Sequence, residues 1–381
     1  MSTTSSYGFR PTRLFTALIM LAIVIAALYI GFDLLRAQAV PERTDALAKF
    51  AQSVFDNATP AGKLINGIFA ILLGVGGMAA LFWAANGVVE ELPETPKRWL
   101  LPYVFVGPMA VLLIFLYIIP TIRTVILSFY DRDGEIFVGL QNYIDTFTVS
   151  DMWDSFRNTI LWIVLGTFFC VSLGLLIATL ADRSKFETVA RAIVFMPMAI
   201  SFVGAAVIFR FIYYYAPEGS NQIGLLNAIV TTLGGEPQAW LQYNQPWNNL
   251  WLIIVVVWMQ TGFCMVIFSA ALKGVPEELL EAGRIDGATE LRIFFNILLP
   301  YIWGTIVTVT TTIIIFMLKI FDLVMGMTGG QFSTEVIGTQ FYRQLFANRN
   351  IGWGAAIATL LLIAVIPVMA YNLRQLAQNR K

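Results

Sequence analysis

Runs of about 20 apolar residues recur along the whole chain, and this repetition limits the possible fold more than any other feature. A helix needs about 20 mostly apolar residues to cross the hydrocarbon core of a bilayer. Eight such spans are predicted: Leu14–Phe32, Leu64–Trp83, Leu101–Ile119, Ile160–Leu180, Ile193–Phe211, Leu250–Leu272, Tyr301–Phe321 and Ala355–Tyr371. The sequence therefore predicts an all-α polytopic membrane protein with about eight transmembrane helices.

The composition limits the chemistry of such a chain. Hydrophobic residues make up 58% of the sequence and charged residues 13%, which is about half the usual globular share. The formal net charge of zero gives no information on a nucleic-acid partner, and none is expected. The absence of histidine excludes histidine-based acid–base catalysis, Ser-His-Asp and Cys-His nucleophiles, and HExxH zinc sites. Cys170 and Cys264 lie in apolar runs without metal-ligand spacing. They are predicted to be buried thiols, and no metal site is expected.

Prolines and basic residues indicate how the spans are organised. The segment Val88–Trp99 combines two prolines with clustered charges and is interpreted as a linker between an N-terminal two-helix membrane extension, residues 1–90, and a six-helix core, residues 91–381. The first span follows Arg10, but its apolar core is longer than that of a signal peptide, so we expect a retained anchor. Residues 216–249 contain no Lys or Arg, which favours an outer loop and places both termini in the cytoplasm.

The predicted cytoplasmic loop between the sixth and seventh spans, residues 274–300, is longer than a connector requires. Its first half is typical of a short helix. Pro276 suits the first helical position, and the two glutamates that follow suit the positive end of the helix dipole. Asp286 and Gly287 then predict the end of this helix, because glycine accepts the left-handed conformation that closes a helix.

The second half of the same loop predicts another short helix. Thr289 can cap its start, and Pro300 is expected to end it at the membrane. Four residues have helical spacing that predicts one apolar face: Leu291, Phe294, Phe295 and Leu298. Two interpretations are open: the loop lies against its own protein, or a soluble partner covers the apolar face.

The stretch EAGRIDGATELRIFFNILLP resembles the cytoplasmic coupling loop, or EAA loop, of the membrane subunits of bacterial ABC importers. The residues that match the family pattern at its spacing are Glu281, Ala282, Asp286, Gly287, Ala288, Phe294, Ile297, Leu299 and Pro300. Gly283 departs from the pattern, which has alanine there, and glycine lowers helix stability by about 1 kcal/mol. The resemblance implies that this helix-turn-helix enters a cleft on a separate ATP-hydrolysing subunit, where Glu281 pairs with a basic residue. The candidate ATPase-docking residues are Glu281, Ala282, Gly283, Asp286, Gly287, Ala288 and Phe294.

From about Trp99 to its end, the chain resembles the carbohydrate branch of this family, the maltose-type permeases. The segments that carry this likeness are Gly224–Val230, Met327–Phe346 and Ile351–Leu362, and Thr289–Asp322 looks most like α-glucoside permeases. The resemblance implies the ABC importer permease fold and alternating access for an α-linked oligosaccharide in the bacterial inner membrane. It also implies a heterodimer with a second permease, two ATP-binding subunits and a periplasmic or lipid-anchored sugar-binding protein.

No GxxxxGK[ST] phosphate-binding loop occurs in the sequence. AGKL, at Ala61–Leu64, has the Gly-Lys pair but neither the following Ser or Thr nor the earlier glycine. The chain is therefore expected to be a transport subunit without an ATPase site or cofactor of its own, with ATP and Mg²⁺ bound by the partner ATPase.

Lys319 and Asp322 lie near the outer end of the predicted seventh span, three positions apart and so on one helix face. Ionisable residues at membrane depth are rare and usually face a bundle interior or a watery cavity. In one interpretation Lys319 donates a hydrogen bond to a sugar hydroxyl, and Asp322 orients the Lys319 side chain. In the others, the two residues form a structural ion pair, or the Lys319 side chain extends to the membrane interface. These interpretations are all open.

In the sixth span, the resemblance places Gln260 and Phe263 at sugar-contacting positions of the family. A glutamine within a span can donate and accept hydrogen bonds, and an aromatic ring suits the C–H face of a sugar. The alternative for both residues is contact between helices.

In the fifth span, Met198 and Ser201 also lie at family contact positions, and Pro197 favours an interrupted helix that lines a cavity. The alternative for Ser201 is a hydrogen bond to its own backbone. Met317 aligns with a sugar-contacting asparagine of the family. Methionine cannot replace that hydrogen bonding, so the resemblance to a strictly maltose-like pose fails at this position.

An ion-coupled secondary transporter of a polar solute is the alternative function. Such transporters commonly carry carboxylates within the membrane and an internal repeat. Here Asp322 is the one convincing carboxylate in a predicted span, and the sequence shows no repeat. An intramembrane enzyme has less support still, since histidine and a GxS-type nucleophile elbow are both missing.

Overall fold

The structure, a computed structural model, describes residues 11–39, 46–54, 59–182, 186–217, 220, 222–243 and 245–378. Arg10 and both chain ends, on which the predicted orientation partly depends, lie outside the described residues. Within them the chain forms helices and no β-strand, with one isolated antiparallel bridge between Tyr130 and Phe137. The predicted all-α class is confirmed.

The α-helices follow one another along the chain with short connections. They are α1 (Pro11–Ala39), α2 (Ala46–Val54), α3 (Pro60–Ile71), α4 (Gly77–Glu90), α5 (Glu94–Leu113), α6 (Ile119–Leu127), α7 (Gln141–Thr148), α8 (Ser150–Leu161), α9 (Thr167–Ala181), α10 (Glu187–Phe195), α11 (Phe202–Ile212), α12 (Leu225–Thr232), α13 (Trp247–Lys273), α14 (Glu277–Ile285), α15 (Glu290–Ile293), α16 (Leu299–Tyr301), α17 (Trp303–Leu318), α18 (Asp322–Met327), α19 (Ile337–Tyr342) and α20 (Ile351–Gln378). Short π-helical segments are Leu72–Gly76, Ile114–Ile118, Trp162–Gly166, Phe294–Leu298 and Arg343–Ala347, and Met196–Ala199 is a 3₁₀ helix.

Six stretches of the described chain are long and apolar enough to cross a membrane as continuous helices: Pro11–Arg36, Pro60–Glu90, Glu94–Leu127, Ser150–Ala181, Trp247–Lys273 and Ile351–Gln375. Two bent helix pairs raise the number to eight if each pair is one span. By helix length and composition, the prediction of about eight spans is confirmed. The predicted fifth span, however, is broken within its length, and the predicted seventh span starts at a sharp bend.

The predicted fifth span turns by 97° between Ala199 and Phe202. Pro197 has no backbone N–H to continue an α-helix, and the chain forms a 3₁₀ turn around it. The Ser201 side chain then accepts a hydrogen bond from the Gly204 N–H at 3.0 Å and starts α11 as its N-cap. A proline and a capping serine therefore divide this span into two half-helices.

The chain also bends by 71° between Tyr301 and Trp303, at the start of the predicted seventh span, whose helix is α17. Pro300 lies within the continuous helix Glu290–Tyr301, directly after the π-helical turn Phe294–Leu298, so this helix ends one residue past the predicted end. The backbone of Ile302 then leaves the helical conformation with φ −90° and ψ 7°.

The chain divides into two compact units, Met1–Thr121 and Ile122–Lys381. The first unit packs α1 on α4, and Gly77 lies so close to α1 that an added Cβ would be 2.3 Å from a methyl of Leu28. The division after Thr121 falls two residues beyond the predicted third span, whereas the predicted boundary between extension and core lies at residue 90. That boundary stays a prediction.

The second unit is built around α13, which has more buried residues than any other span in the described chain. Two glycines bring its neighbours into backbone contact. A Cβ on Gly174 of α9 would lie 2.4 Å from the Cβ of Cys264, and one on Gly262 would lie 2.4 Å from the Val194 carbonyl oxygen of α10. Small residues permit such close approach between membrane helices. Cys170 and Cys264 are buried free thiols, as predicted.

We expect Gly262→Ala to destabilise this unit. The new methyl would meet the backbone of Val194 and Phe195, which cannot rotate away, so a loss of about 1–3 kcal/mol follows from overpacking. The measurement is the midpoint of thermal unfolding in detergent. Gly67→Ala is the matched control, because a Cβ there meets nothing within 4 Å. Equal midpoints for the two variants would contradict the close contact.

Candidate coupling loop and transport site

The turn between α14 and α15 is closed by two backbone hydrogen bonds. The Ala288 N–H donates to the Gly283 carbonyl at 3.0 Å, and the Gly287 N–H donates to the Arg284 carbonyl at 3.0 Å. This pair of bonds is the Schellman motif, which requires a left-handed residue after the helix cap. Gly287 supplies that residue with φ +75°. The predicted Asp286–Gly287 break is confirmed in position and conformation.

The second helix of the loop starts where predicted. The Thr289 hydroxyl accepts a hydrogen bond from the Arg292 N–H at 3.4 Å, as an N-cap does. Arg284 and Glu290 join the two helices across the turn, with 3.1 Å between Nε and Oε1. At the base of the loop, the Tyr301 hydroxyl donates to the Gly274 carbonyl at 3.3 Å. The loop is therefore closed at both its tip and its base.

The predicted single apolar face of the second helix is wrong. Leu298 is buried and Phe294 is half-buried against the core, whereas Leu291 is 72% exposed and Phe295 59% exposed. Leu291 with Phe295, and Phe294 with Leu298, are pairs four positions apart, so they form two neighbouring rows on the helix, and only the row of Phe294 and Leu298 packs against the core. The two exposed residues, with Ile285 on the preceding helix, leave apolar surface on the loop.

Gly283 lies where the two helices of the loop come closest. A Cβ at this position would be 2.8 Å from Ile297 Cδ1 and 3.5 Å from Ile293 Cγ1. The glycine therefore weakens α14 but lets Ile297 pack against it, an effect that the helix propensity alone did not indicate.

The other predicted docking residues lie on the free side of the loop. Glu281, Ala282, Asp286 and Gly287 are exposed, whereas Ala288, like Phe294, is half-buried. Glu281 has no hydrogen bond or ion pair among the described residues, so its carboxylate is available to another molecule. The structure brings these residues together on one two-helix element, and their role as ATPase contacts stays a prediction.

A network of charged and hydroxyl side chains, which the sequence analysis missed, lies at the ends of α9, α10 and α13. We call it the helix-end network: Asp182, Glu187, Arg191, Ser269 and Lys273. Lys273 is the last residue of α13, immediately before the coupling loop. The sequence gives little indication that these five residues meet, because they come from three separate helix ends.

The predicted sugar-contacting residues of the fifth and sixth spans occupy accessible positions. Met198 and Ser201 are exposed at the break of the bent fifth span. Gln260 and Phe263 are half-buried on α13, three positions apart and so on one face. A cavity of about 660 Å³ lies beside the break, with a mostly apolar lining that includes Pro197 and does not include Gln260.

Residues at the end of the seventh span are arranged differently from the prediction. Met317 is fully buried, and a Cβ on Gly166 would lie 2.7 Å from its terminal methyl, so it packs inside the core. The prediction that Lys319 and Asp322 share a helix face is wrong. The helix ends at Leu318, Asp322 begins α18, and no ion pair joins the two exposed side chains in the described structure.

The start of α11 and the end of α17 adjoin. The rings of Phe202 and Phe316 are 5.2 Å apart between centroids, so Ser201 and the residues after Phe316 belong to one region of the molecule. The structure therefore brings the fifth-span and seventh-span candidates near each other. The sugar-contacting role of all these residues stays a prediction.

Amide side chains hold the segment Met327–Phe346 in an unusual conformation. The Asn158 amide donates to the carbonyl oxygens of Ser333 at 2.8 Å and Glu335 at 2.7 Å, and Asn248 donates to that of Phe332. Phe332 and Ser333 are exposed with φ of 58° and 55°, a left-handed region that few residues other than glycine adopt. Such strain, held in place by buried hydrogen bonds, is often found where a protein contacts another molecule.

Residues 170–378, more than half of the chain, match the family model described as "binding-protein-dependent transport system inner membrane component". The chain belongs to this family. The osmoprotective compounds uptake permease protein GgtC of Synechocystis sp. is 49% identical over 277 residues, 73% of this chain and 99% of that protein. The α-glucoside transport system permease protein AglF of Rhizobium meliloti is 44% identical over 330 residues, 82% of this chain and 97% of that protein.

Two crystal structures of bacterial alginate ABC transporters share the fold. One, a transporter involved in the import of the acidic polysaccharide alginate, gives a TM-score of 0.63 at 21% identity, with 73% of this chain and 96% of that chain covered. The other, in complex with an alginate pentasaccharide-bound periplasmic protein, gives 0.64 at 20%, with coverage of 72% and 93%. The ABC importer permease fold is confirmed, and the chain is a multi-pass permease subunit of an importer. The alternative of a secondary transporter is not favoured.

Gly287→Ala is expected to loosen the turn of the coupling loop. A Cβ there meets no atom within 4 Å, so the cost arises from the left-handed backbone alone and is about 1–2 kcal/mol. Hydrogen exchange of the residue 287 and Ala288 amides should therefore speed up about tenfold. Gly287→Asn should show a smaller rise, since asparagine tolerates this conformation. Unchanged exchange in the alanine variant would contradict the assignment.

Proposed function

We propose that this permease imports an α-linked oligosaccharide or α-glucoside, driven by ATP hydrolysis on separate subunits. Support for the solute class comes from the two relatives named for the uptake of osmoprotective compounds and of α-glucosides, since each aligns over nearly its whole length. Neither name specifies which sugar this chain carries. Maltose, sucrose, trehalose and glucosylglycerol are the candidates.

The observation that carries the ATP-driven mechanism is the closed two-helix loop Glu277–Tyr301. It projects Glu281, whose carboxylate has no partner in the described part of the chain, beside exposed Ile285, Leu291 and Phe295. A self-contained element with one charge and an apolar patch fits insertion into a cleft on another protein better than it fits a connector. We infer that each of two ATPase subunits binds ATP and Mg²⁺, and that this loop docks on one of them.

In this proposal, a second permease completes the transport pathway, and the chain has both termini on the ATPase side of the inner membrane. The exposed residues at the break of the fifth span, Met198 and Ser201, line the path with Gln260 and Phe263. Closure of the ATPases moves the coupling loop, and the helices then open the path alternately to each side. Met317 is buried, so it is less suited to line the path than the other candidates are.

On the outer side, the proposal includes a periplasmic or lipid-anchored sugar-binding protein that delivers the solute. The strained, exposed pair Phe332 and Ser333 supports a contact there, because buried amides fix its backbone while leaving its side chains free. Rigid contact elements lose little entropy when they bind a partner.

Uptake by the reconstituted complex tests the proposed function. Proteoliposomes that contain the chain with its partner subunits and binding protein should accumulate one of the four candidate sugars only when ATP is supplied. A protonophore added while ATP is maintained should leave uptake unchanged. Uptake that collapses with the protonophore, or that proceeds without ATP, would overturn the proposal in favour of an ion-coupled carrier.

Gln260→Ala tests the predicted sugar site. The substitution removes a hydrogen-bonding group from a half-buried position without enlarging any side chain, so assembly should be preserved. The apparent affinity for sugar, read from sugar stimulation of ATPase activity, should fall roughly 5- to 150-fold, since a lost hydrogen bond of this kind costs about 1–3 kcal/mol. Thr308→Ala, which removes a hydroxyl bonded only to its own helix at the Gly304 carbonyl, is the control. An unchanged sugar dependence in Gln260→Ala would remove this residue from the site.

A further inference from the structure

We propose that the helix-end network is the mechanical joint between the coupling loop and the sugar path. Through it, a displacement of the loop at the end of α13 moves α10 and, with it, the break at Met198 and Ser201. The inference deepens the proposed function and rests on the docking of the coupling loop on an ATPase.

The network joins three helix ends through one arginine. The Arg191 guanidinium contacts the carboxylates of Asp182 and Glu187 and the hydroxyl of Ser269. Ser269 in turn donates to Asp182 at 2.6 Å. A planar guanidinium with five donors can bridge several acceptors in fixed directions, which a lysine ammonium does less well. Arg191 therefore ties α9 and α13 to its own helix.

The second connection is direct. Lys273 Nζ lies 2.6 Å from Glu187 Oε1, so the last residue of α13 is paired with the first residue of α10. Only Gly274, Val275 and Pro276 separate Lys273 from the first helix of the coupling loop. Any movement of the loop that shifts Lys273 must therefore stretch this pair or carry α10 along.

Burial stiffens the part of the network around Arg191. The side chains of Asp182, Glu187 and Arg191 are 19%, 26% and 28% exposed, whereas those of the surface pair Arg157 and Asp154 are 62% and 42% exposed. Lys273, at 53%, is the exposed member of the network and is joined to it through Glu187. Screening by water and salt is weaker for partly buried charges, and charges that share one network support one another, so the three charges around Arg191 hold their arrangement more firmly than a surface pair does.

A separate contact holds the other end of α10 against α13. At Gly262 the backbone of α13 touches the carbonyl of Val194 in the last turn of α10. With the network at one end of α10 and this contact at the other, the helix is fixed to α13 along its length. Beyond Phe195 the chain enters the 3₁₀ turn and reaches Ser201, so α10 and α13 move as one body that ends at the sugar path.

The reconstituted complex, with its second permease, ATPases and binding protein, tests this joint. The probe is whichever of maltose, sucrose, trehalose and glucosylglycerol stimulates the wild-type ATPase most. Lys273→Met and Arg191→Met should lower the ratio of sugar-stimulated to sugar-independent hydrolysis about fivefold or more, with the ATPases still bound. Lys273→Arg, which keeps the pair with Glu187, should retain the wild-type ratio. Arg157→Met, which breaks a surface pair only, is the matched control.

Cross-linking separates transmission from a merely structural role. In the double variant Glu187→Cys/Lys273→Cys the ratio should be low, and a short bifunctional thiol reagent that joins the two positions should restore it. Cys170 and Cys264 are buried, so the wild-type complex treated in the same way is the control for side reactions. If the complex with Arg191→Met fails to assemble, the double cysteine variant still tests the joint. A cross-link that forms but leaves the ratio low overturns the joint.

A separate experiment tests docking: it measures whether the ATPases co-purify with the Glu281→Lys variant. If that variant retains both the ATPases and full transport, the docking proposal itself fails. If the ATPases are lost from Glu281→Lys while the network variants keep a wild-type ratio, docking stands and the joint is overturned.

Discussion

Backbone-level contact at two glycines of the helix bundle is the constraint on which the second unit depends. Gly174 lets α9 approach α13 at Cys264, and Gly262 lets α13 approach α10 at Val194. In a bilayer, lipid tails are as apolar as leucine, so helices associate through close packing and hydrogen bonds rather than by escaping water. The two glycines supply that packing on two sides of one central helix. The position of the coupling loop follows, because the loop begins where this helix ends.

The coupling loop is ordered by its own bonds as well as by its neighbours. A Schellman turn, a threonine cap, one ion pair and the hydrogen bond between Tyr301 and Gly274 close it on itself. These interactions are all local, since each joins residues within about 30 positions. Such an element keeps its shape while it is displaced, and it can transmit a movement that a flexible connector would absorb.

Local chemistry explains which parts of this architecture could be predicted from the sequence. The apolar runs set the spans, and Asp286–Gly287 and Thr289 set the turn, because helix length, left-handed glycine and capping depend on neighbouring residues alone. The spacing could not show which apolar row of the second loop helix packs on the core, because that depends on residues elsewhere in the chain. The predicted common helix face of Lys319 and Asp322 was wrong because the helix expected to carry both residues ends at Leu318, before either of them.

Features that depend on distant residues could not be predicted. The helix-end network joins Asp182 to Ser269, 87 positions apart, and the segment around Ser333 is held by Asn158, 175 positions away. In both cases, the sequence around one residue does not indicate its distant partner. The sugar-contacting candidates came from resemblance to a family, and the geometry separates them, with Ser201 at an accessible helix start and Met317 deep in the core.

The break at Ser201 also has a thermodynamic consequence. Starting a helix there leaves its first N–H groups without an intrahelical acceptor, and the serine side chain accepts only from Gly204. The N–H groups of Phe202 and Val203 therefore have no acceptor within α11. A straight fifth span would pair both groups within one helix, so the bend persists only while the proline turn and the serine cap outweigh those two hydrogen bonds.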